Sequence, residues 1–341
     1  MLRVWRTATR LIKVVLACPN LAKWTRPHYP FAFNVIWPPA ECPVLPAPWR
    51  PRPQNLTAMD RPASPSPEIA RRGYGPWPPR PFRPERVRLL PPEALRPWIL
   101  HEDDDLLVVN KSGDIVCHPS KFGPTSSLVG AARAYTRLPT MHLVFRLDRE
   151  TSGVVVMAKH AAAASRLQAA VQTRQIGKRY LALLTGELAT ATTVDQALAP
   201  DRESLVHVKA RVCADGKAAV SHFVPLATGN GVTLAAILPT TGRKHQIRVH
   251  AQWLGHAVVG DKIYGPDERL YLKFNDDGWT PELAQRLRLP RHALHCAEID
   301  LRPAGVDLIF RAPWPSDLAA FTRDHLPVME RPTLPDSEAK R

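Results

Sequence analysis

Between residues 99 and 327 short apolar runs alternate with polar breaks and with two stretches of helical spacing. Leu106-Leu107-Val108-Val109 predicts a short strand, entered from the turn-forming Asp103-Asp104-Asp105 and closed by Ser112-Gly113. Val154-Val155-Val156-Met157-Ala158 has no polar interruption, the pattern of a strand covered on both faces. Residues 161–172 combine high helix propensity with Ala163, Leu167, Ala170, Val171 and Arg174 at helical spacing, which predicts a helix with Gly177 as its C-cap. Residues 178–184 alternate, with Tyr180, Ala182 and Leu184 on one face. Further strands are predicted over 218–226, 232–238 and 307–311, and a helix over 244–254 capped by Gly255. Residues 267–290 vary in character and read as a surface insertion. Several strands with few helices point to an α+β class built on a large antiparallel or mixed sheet.

No such period survives in residues 1–98, which hold 21 of the 36 prolines and six of the nine tryptophans. Proline at that density removes amide donors and breaks both helix and strand, so this extension is expected to be largely disordered. No acidic residue precedes Glu41, whereas Arg3, Arg6, Arg10, Lys13, Lys23 and Arg26 are all basic. An organellar transit peptide has that composition. A secretory signal fits less well, because Lys13 interrupts a short apolar run. We favour a third reading, translation from Met59, since Met59-Asp60-Arg61-Pro62 opens a more ordinary polar leader and leaves 59–98 as a basic, flexible arm. The domain scheme is thus an extension over 1–98, one catalytic domain over 99–327 and a tail over 328–341.

Charge changes the picture more than hydrophobicity does. A formal net charge of +15 with pI near 10.0 points to a polyanion, and to nucleic acid before membrane, because nothing reads as a basic amphipathic anchor. No apolar run reaches the length of a membrane span. The five cysteines, Cys18, Cys42, Cys117, Cys213 and Cys296, are odd in number and show no Cys-x-x-Cys spacing. That argues against a disulfide framework or thiolate zinc site and fits a reducing, cytoplasmic setting, with mitochondria as the alternative if the N-terminus is a transit peptide.

The candidate chemistry sits in Phe145-Arg146-Leu147-Asp148-Arg149-Glu150-Thr151-Ser152-Gly153, an acid between two arginines followed by a turn into the apolar strand. Alone it would be a surface ion pair. It resembles, however, the Arg-Leu-Asp-x-x-Thr-Ser-Gly signature of the RluA-type pseudouridine synthases, which isomerise uridine in RNA. Further blocks match in the same order: Asn110-Lys111, where Ser112 replaces the family's proline; His118-Pro119; Lys178-Arg179-Tyr180; Gly216-Lys217-Ala218; Thr241-Gly242-Arg243-Lys244-His245-Gln246-Ile247-Arg248; Gly260-Asp261-Lys262-Ile263-Tyr264-Gly265; and Arg291-His292-Ala293-Leu294-His295-Cys296. The resemblance implies a long, mixed, mainly antiparallel bent sheet with flanking helices.

It implies also that Asp148 is the catalytic carboxylate, acting as nucleophile or base on a flipped-out uridine. A guanidinium in the second signature would keep it ionised; Arg248 is chosen over Arg243 because, on the expected helix, it shares a face with Lys244. Tyr180 would stack on uracil and help the last proton leave C5. Arg146 would help displace the target base or fill its vacated place. Phe145 stands where the family has histidine, so polar contacts at that point are replaced by packing or stacking. Arg149, Lys178, Arg179, Arg243, Lys244 and His245 are further candidate RNA contacts, with Lys159, Arg166 and Arg174 as phosphate contacts. The expected partner is RNA, ribosomal or transfer, bound by a monomer without metal or organic cofactor. The histidines fit no zinc spacing, and Asp148 with Glu150 is too close in sequence for a glycosidase pair. The remaining rival is an RNA-binding module that keeps the fold without turnover.

Overall fold

A computed structural model describes residues 88–118 and 123–326. The expectations for 1–87, for Pro119 and for the tail lie outside the described residues. Packed structure begins before the expected boundary at 99. Leu90 donates its backbone N–H to Thr125 O at 2.7 Å, and a 3₁₀ turn, Pro92–Trp98, follows it. Leu90 and Leu95 both join the main core at no more than 1% exposure. Proline suits the first turn of such an element, where its missing N–H would have had no partner.

The elements follow in chain order. β1 (Ile99–Glu102) and β2 (Leu106–Lys111) form a hairpin, turned by Asp103 Oδ1, which accepts from the backbone N–H of Asp105 and of Leu106. Then come α1 (Leu128–Thr136), β3 (His142–Leu143), β4 (Ser152–Ala158), α2 (Ala161–Gln172) and β5 (Gly177–Thr185). β6 (Thr192–Asp195), β7 (Leu198–Pro200), β8 (Ala210–Val212), β9 (Val220–Gly229) and β10 (Val232–Pro239) lead to α3 (Gln246–Trp253). α4 (Arg269–Asp277), α5 (Pro281–Leu287), β11 (Leu294–Asp300), β12 (Ile309–Arg311) and α6 (Ser316–His325) complete the chain.

Ten strands form one sheet in the order β1-β2-β4-β11-β5-β10-β9-β6, with β3 beside β4 and β12 beside β11. β7 and β8 pair separately. The fold is therefore α+β on a mixed, mainly antiparallel sheet, as expected. β4 and β11 are the one parallel pair of strands among the described residues, joined in register at Ser152↔His295 and Gly153↔Cys296. Gly153 is required there. Its φ is +113°, and a Cβ would stand 2.2 Å from Cys296 O. All seven residues of β4 are buried, as the uninterrupted apolar run requires. Each fully buried Val or Met in it contributes about 2 kcal/mol.

Two local expectations need correction, and a third gains detail. α2 has the expected length, but Gly177 does not cap it; Thr173 does, Arg174 takes the left-handed turn at φ +61°, and Gly177 opens β5. α3 begins at Gln246 rather than 244, because His245 itself is left-handed at φ +56° and lies before the helix. Residues 267–290, expected as a surface insertion, are helical. They form α4 and α5, which close over a small core of Leu270, Leu283 and Leu287.

Candidate active site

The loop from Phe145 to Thr151 enters β4 at its seam with β11, and the backbone on both sides of Asp148 is tied down. Cys117 Sγ donates to Leu147 O at 3.4 Å, and Thr151 N–H donates to Asp148 O at 3.2 Å. Arg149 O accepts from the Asp114 N–H at 2.8 Å and from Lys111 Nζ at 3.0 Å. Lys111 is fully buried and spends its other donors on Ser112 O and Ile115 O; burial brings its ammonium down to about 8. Thr151 and Ser152 fasten the loop to the segment entering β11, through His292 Nε2 at 2.7 Å and His295 Nδ1 at 2.9 Å. Fixing an acid this firmly is what preorganisation asks of a reactive group.

Asp148 then meets its cation. Arg248 Nη1 donates to Asp148 Oδ2 at 2.9 Å, while its Nε and Nη2 donate to Asp261 Oδ2 and Oδ1 at 2.6 and 2.8 Å. Asp261 has no exposed surface and also accepts the backbone N–H of Ile263 and Tyr264. The guanidinium is thus held by a two-point fork on one side and offers a single N–H to Asp148 on the other. Burial pushes the Asp148 carboxyl up, but the Arg248 charge and its hydrogen bond outweigh that and leave it below its ordinary value. Asp148 is therefore ionised at neutral pH. Its side chain keeps 28% exposure, against 5% for Arg248.

That exposure opens into a cavity of about 300 Å³. Tyr180, Lys178, Phe145, Arg146, Arg243 and His245 line it together with Asp148 and Arg248. Tyr180 faces Cys296 across β5 and β11, and burial, then the Cys296 thiol, push its phenol well above the usual value. Lys178 Nζ lies 4.6 Å from the centre of the Phe145 ring, and burial lowers its ammonium. A fixed carboxylate–guanidinium pair, a flat aromatic and a basic rim at one cavity suit a planar, anionic substrate taken out of its stack.

Residues 105–253 match the family model described as RNA pseudouridylate synthase. The chain is 34% identical over 245 residues to the ribosomal large subunit pseudouridine synthase D of Vibrio parahaemolyticus, covering 70% of this chain and 73% of that protein. With the Salmonella typhimurium protein of the same name it shares 33% over 227 residues, or 64% of this chain and 68% of the relative. The chain belongs to the RluA-type family of RNA pseudouridine synthases. Its fold matches the solved human RNA pseudouridylate synthase domain containing 4, with TM-score 0.54 and 26% identity over 68% of this chain and 94% of that one. It is an RNA-directed isomerase, converting uridine to its carbon-linked form.

Within this synthase the expected residues separate into two groups. Asp148, Tyr180, Arg248, Arg146, Lys178, Arg243 and His245 meet at the cavity. Arg248 is the partner of Asp148, although the reason for choosing it fails: Lys244 is not on the helix, so no shared face exists. Lys244 is exposed beside the cavity. Arg149 and Arg179 do not line it. Arg149 Nε donates to Asp114 O, and Arg179, one residue out of phase with Lys178 and Tyr180 on β5, turns toward Glu298 at 4.0 Å. Lys159 and Arg166 serve Glu102 and Asp105 instead. Sequence reasoning missed Asp261 and Tyr264 as site residues. Their block was noticed, but the signal was chemical: a buried arginine facing an ionised aspartate needs a second carboxylate.

Proposed function

We propose that Asp148 is the reacting carboxylate toward the extruded uridine, that Arg248 keeps it ionised and aimed, and that Tyr180 is the platform on which uracil lies. The observation that carries this reading is the 2.9 Å Arg248–Asp148 bond in the lining of a cavity that Tyr180 also lines. Breaking the N1–C1′ bond and rejoining at C5 needs a carboxylate in place throughout, and neither step changes oxidation state. Burial keeps the Tyr180 phenol neutral in the free site, so what it offers there is its flat ring and a hydroxyl that donates. Arg146, Lys178, Arg243 and Lys244 form the basic rim that meets phosphate.

The substrate class we infer is large-subunit ribosomal RNA, since the Vibrio and Salmonella relatives are named for it. Two measurements test the reading. Pseudouridine mapping of ribosomal and transfer RNA, from cells with and without the protein, is expected to lose a signal in ribosomal RNA. Asp148→Asn is expected to lower turnover at least about 10³-fold while RNA affinity changes little, because the cationic rim is untouched. A full rate in Asp148→Asn sinks the carboxylate assignment; an unchanged map sinks the ribosomal substrate.

A further inference from the structure

His245 presents one ring edge to the cavity and has its other edge fixed from behind. Tyr264 has no exposed surface, and its hydroxyl oxygen accepts the backbone N–H of Ala210 at 2.9 Å. The same oxygen lies 2.9 Å from His245 Nδ1. With the Ala210 hydrogen already accepted, the buried phenol keeps its own hydrogen to donate, and Nδ1 is its acceptor among the described residues. The alternative, with Nδ1 donating, would strand that hydrogen in a dry site. The imidazole therefore accepts at Nδ1 and carries its hydrogen on Nε2.

Burial first, then the neighbouring Arg248 and Lys244 charges, hold the ring near a pKa of 4 against the opposing pull of Asp148 and Asp261, so it is neutral in use. The left-handed backbone at residue 245 places it ahead of α3.

The Nε2–H edge faces Asp148 Oδ1 at 3.9 Å. That is too far for a direct hydrogen bond. Arg248 occupies Oδ2, whereas Oδ1 accepts no hydrogen bond among the described residues. A donor and an acceptor thus stand across a gap that one oxygen fills at about 2.8 Å from each. The filling group must accept from His245 and donate to Asp148, which a water molecule can do and, among the groups of a nucleotide, only a hydroxyl does. In a uridine inside an RNA strand the uracil carbonyls only accept and N3–H only donates. The 3′ and 5′ oxygens are esterified, so the 2′-hydroxyl is the sole candidate.

We propose that His245 Nε2 and Asp148 Oδ1 together hold the ribose 2′-hydroxyl of the flipped uridine, so that the site reads ribose at the target nucleotide itself. The bonded carboxylate then sits beside C1′, the carbon whose bond is broken. This inference rests on Asp148 being the reacting carboxylate.

The test has two arms on the full chain. Nitrogen NMR of the free protein, with His245 assigned by its disappearance in His245→Asn, is expected to show hydrogen on Nε2 and a bare Nδ1. Hydrogen on Nδ1 overturns the proposal without any substrate. In the second arm a synthetic RNA carries the mapped uridine as ribose or as 2′-deoxyribose.

Wild type is expected to favour ribose by at least about 10-fold in kcat/KM. His245→Asn tolerates the left-handed backbone but ends short of the Nε2 position, so it should bring the preference below about 2-fold, mainly by slowing the ribose substrate. Tyr264→Phe should move the same way more weakly. An equal preference in wild type and His245→Asn overturns the proposal while the enzyme reading stands; an Asp148→Asn protein that still turns over removes the reading beneath it.

Discussion

The two ends of β4 carry the same kinds of charge and put them to different use. At its Ser152 end, Asp148, Arg248 and Asp261 form a chain whose guanidinium is 5% exposed and whose rear carboxylate is not exposed at all. At its Ala158 end, Lys159 meets Glu102 at 2.9 Å, while His160 and Arg166 meet Asp105 at 2.8 and 3.1 Å. There Arg166 is 56% and Asp105 44% exposed. Bond lengths barely distinguish the two ends; the burial of Arg248 and Asp261 does. Coulomb attraction is several-fold stronger where water is excluded, and so is the cost of leaving a charge alone. Beside the parallel seam water is kept from the guanidinium and its rear carboxylate, whereas the Asp105 pairs at the other end lie open to solvent.

The sharpest way to break the contrast is Asp261→Asn. It preserves volume but leaves Arg248 buried with Asp148 alone, and stability is expected to fall by about 3–5 kcal/mol in denaturant unfolding. Among molecules that remain folded, kcat should fall at least about 100-fold, because Arg248 loses the fork that aims it. A change under about 1 kcal/mol would mean that water reaches Asp261 and that the buried end is no different in kind.

Acid should separate the ends next. His245 and His295 are held near 4 chiefly by burial, and His292 is held well below its ordinary value for the same reason. All three lie at the buried end and are neutral in the folded protein. The unfolded chain takes up their protons near pH 6.5, so their contribution is complete above that value and is lost as pH falls toward 4. At pH 5 the loss is about 2 kcal/mol each for His245 and His295. The unfolding midpoint should therefore drop steadily from pH 7 to pH 5. His295→Gln, which removes one titrating ring from the β4–β11 seam, should flatten that slope; a slope unchanged by the substitution counts against the assignment.

Much of this was legible beforehand, and its limits follow from particular residues. The run Val154–Ala158 and the alternation through Tyr180 gave the central strands, because burial on one or both faces writes a period into the sequence. Asp148 and Arg248 came from their motifs. Local capping was misread at Gly177 and at His245, where non-glycine residues, Arg174 and His245 itself, take the left-handed conformation. Composition does not report φ, and the tertiary hydrogen bond of His245, to Tyr264, joins residues 19 apart. The role of Asp261, though not its block, is hidden for another reason: it exists only once α3 and the loop after it bring residues 248 and 261 together. Arg179 shows the converse, since a basic residue in a motif is still sent to the wrong face by strand alternation.

The smallest expected effect completes the comparison from the exposed end. Lys159 and Arg166 were candidate phosphate contacts, and both face carboxylates at the Ala158 end, about six residues along β4 from the site. At about 3.3 Å per residue that is some 20 Å from Ser152 at the site end of the strand, about two and a half Debye lengths at physiological salt. Lys159→Gln with Arg166→Gln should therefore leave kcat unchanged and cost less than about 1 kcal/mol of stability for the Lys159 pair. KM for RNA reports whether a long substrate reaches that far. If phosphates bind there, the double variant raises KM and reduces its dependence on salt by about one to two phosphate contacts. If KM and its salt slope stay at wild-type values, those cations are spoken for by Glu102 and Asp105, and the basic rim at Arg146, Lys178, Arg243 and Lys244 carries the RNA.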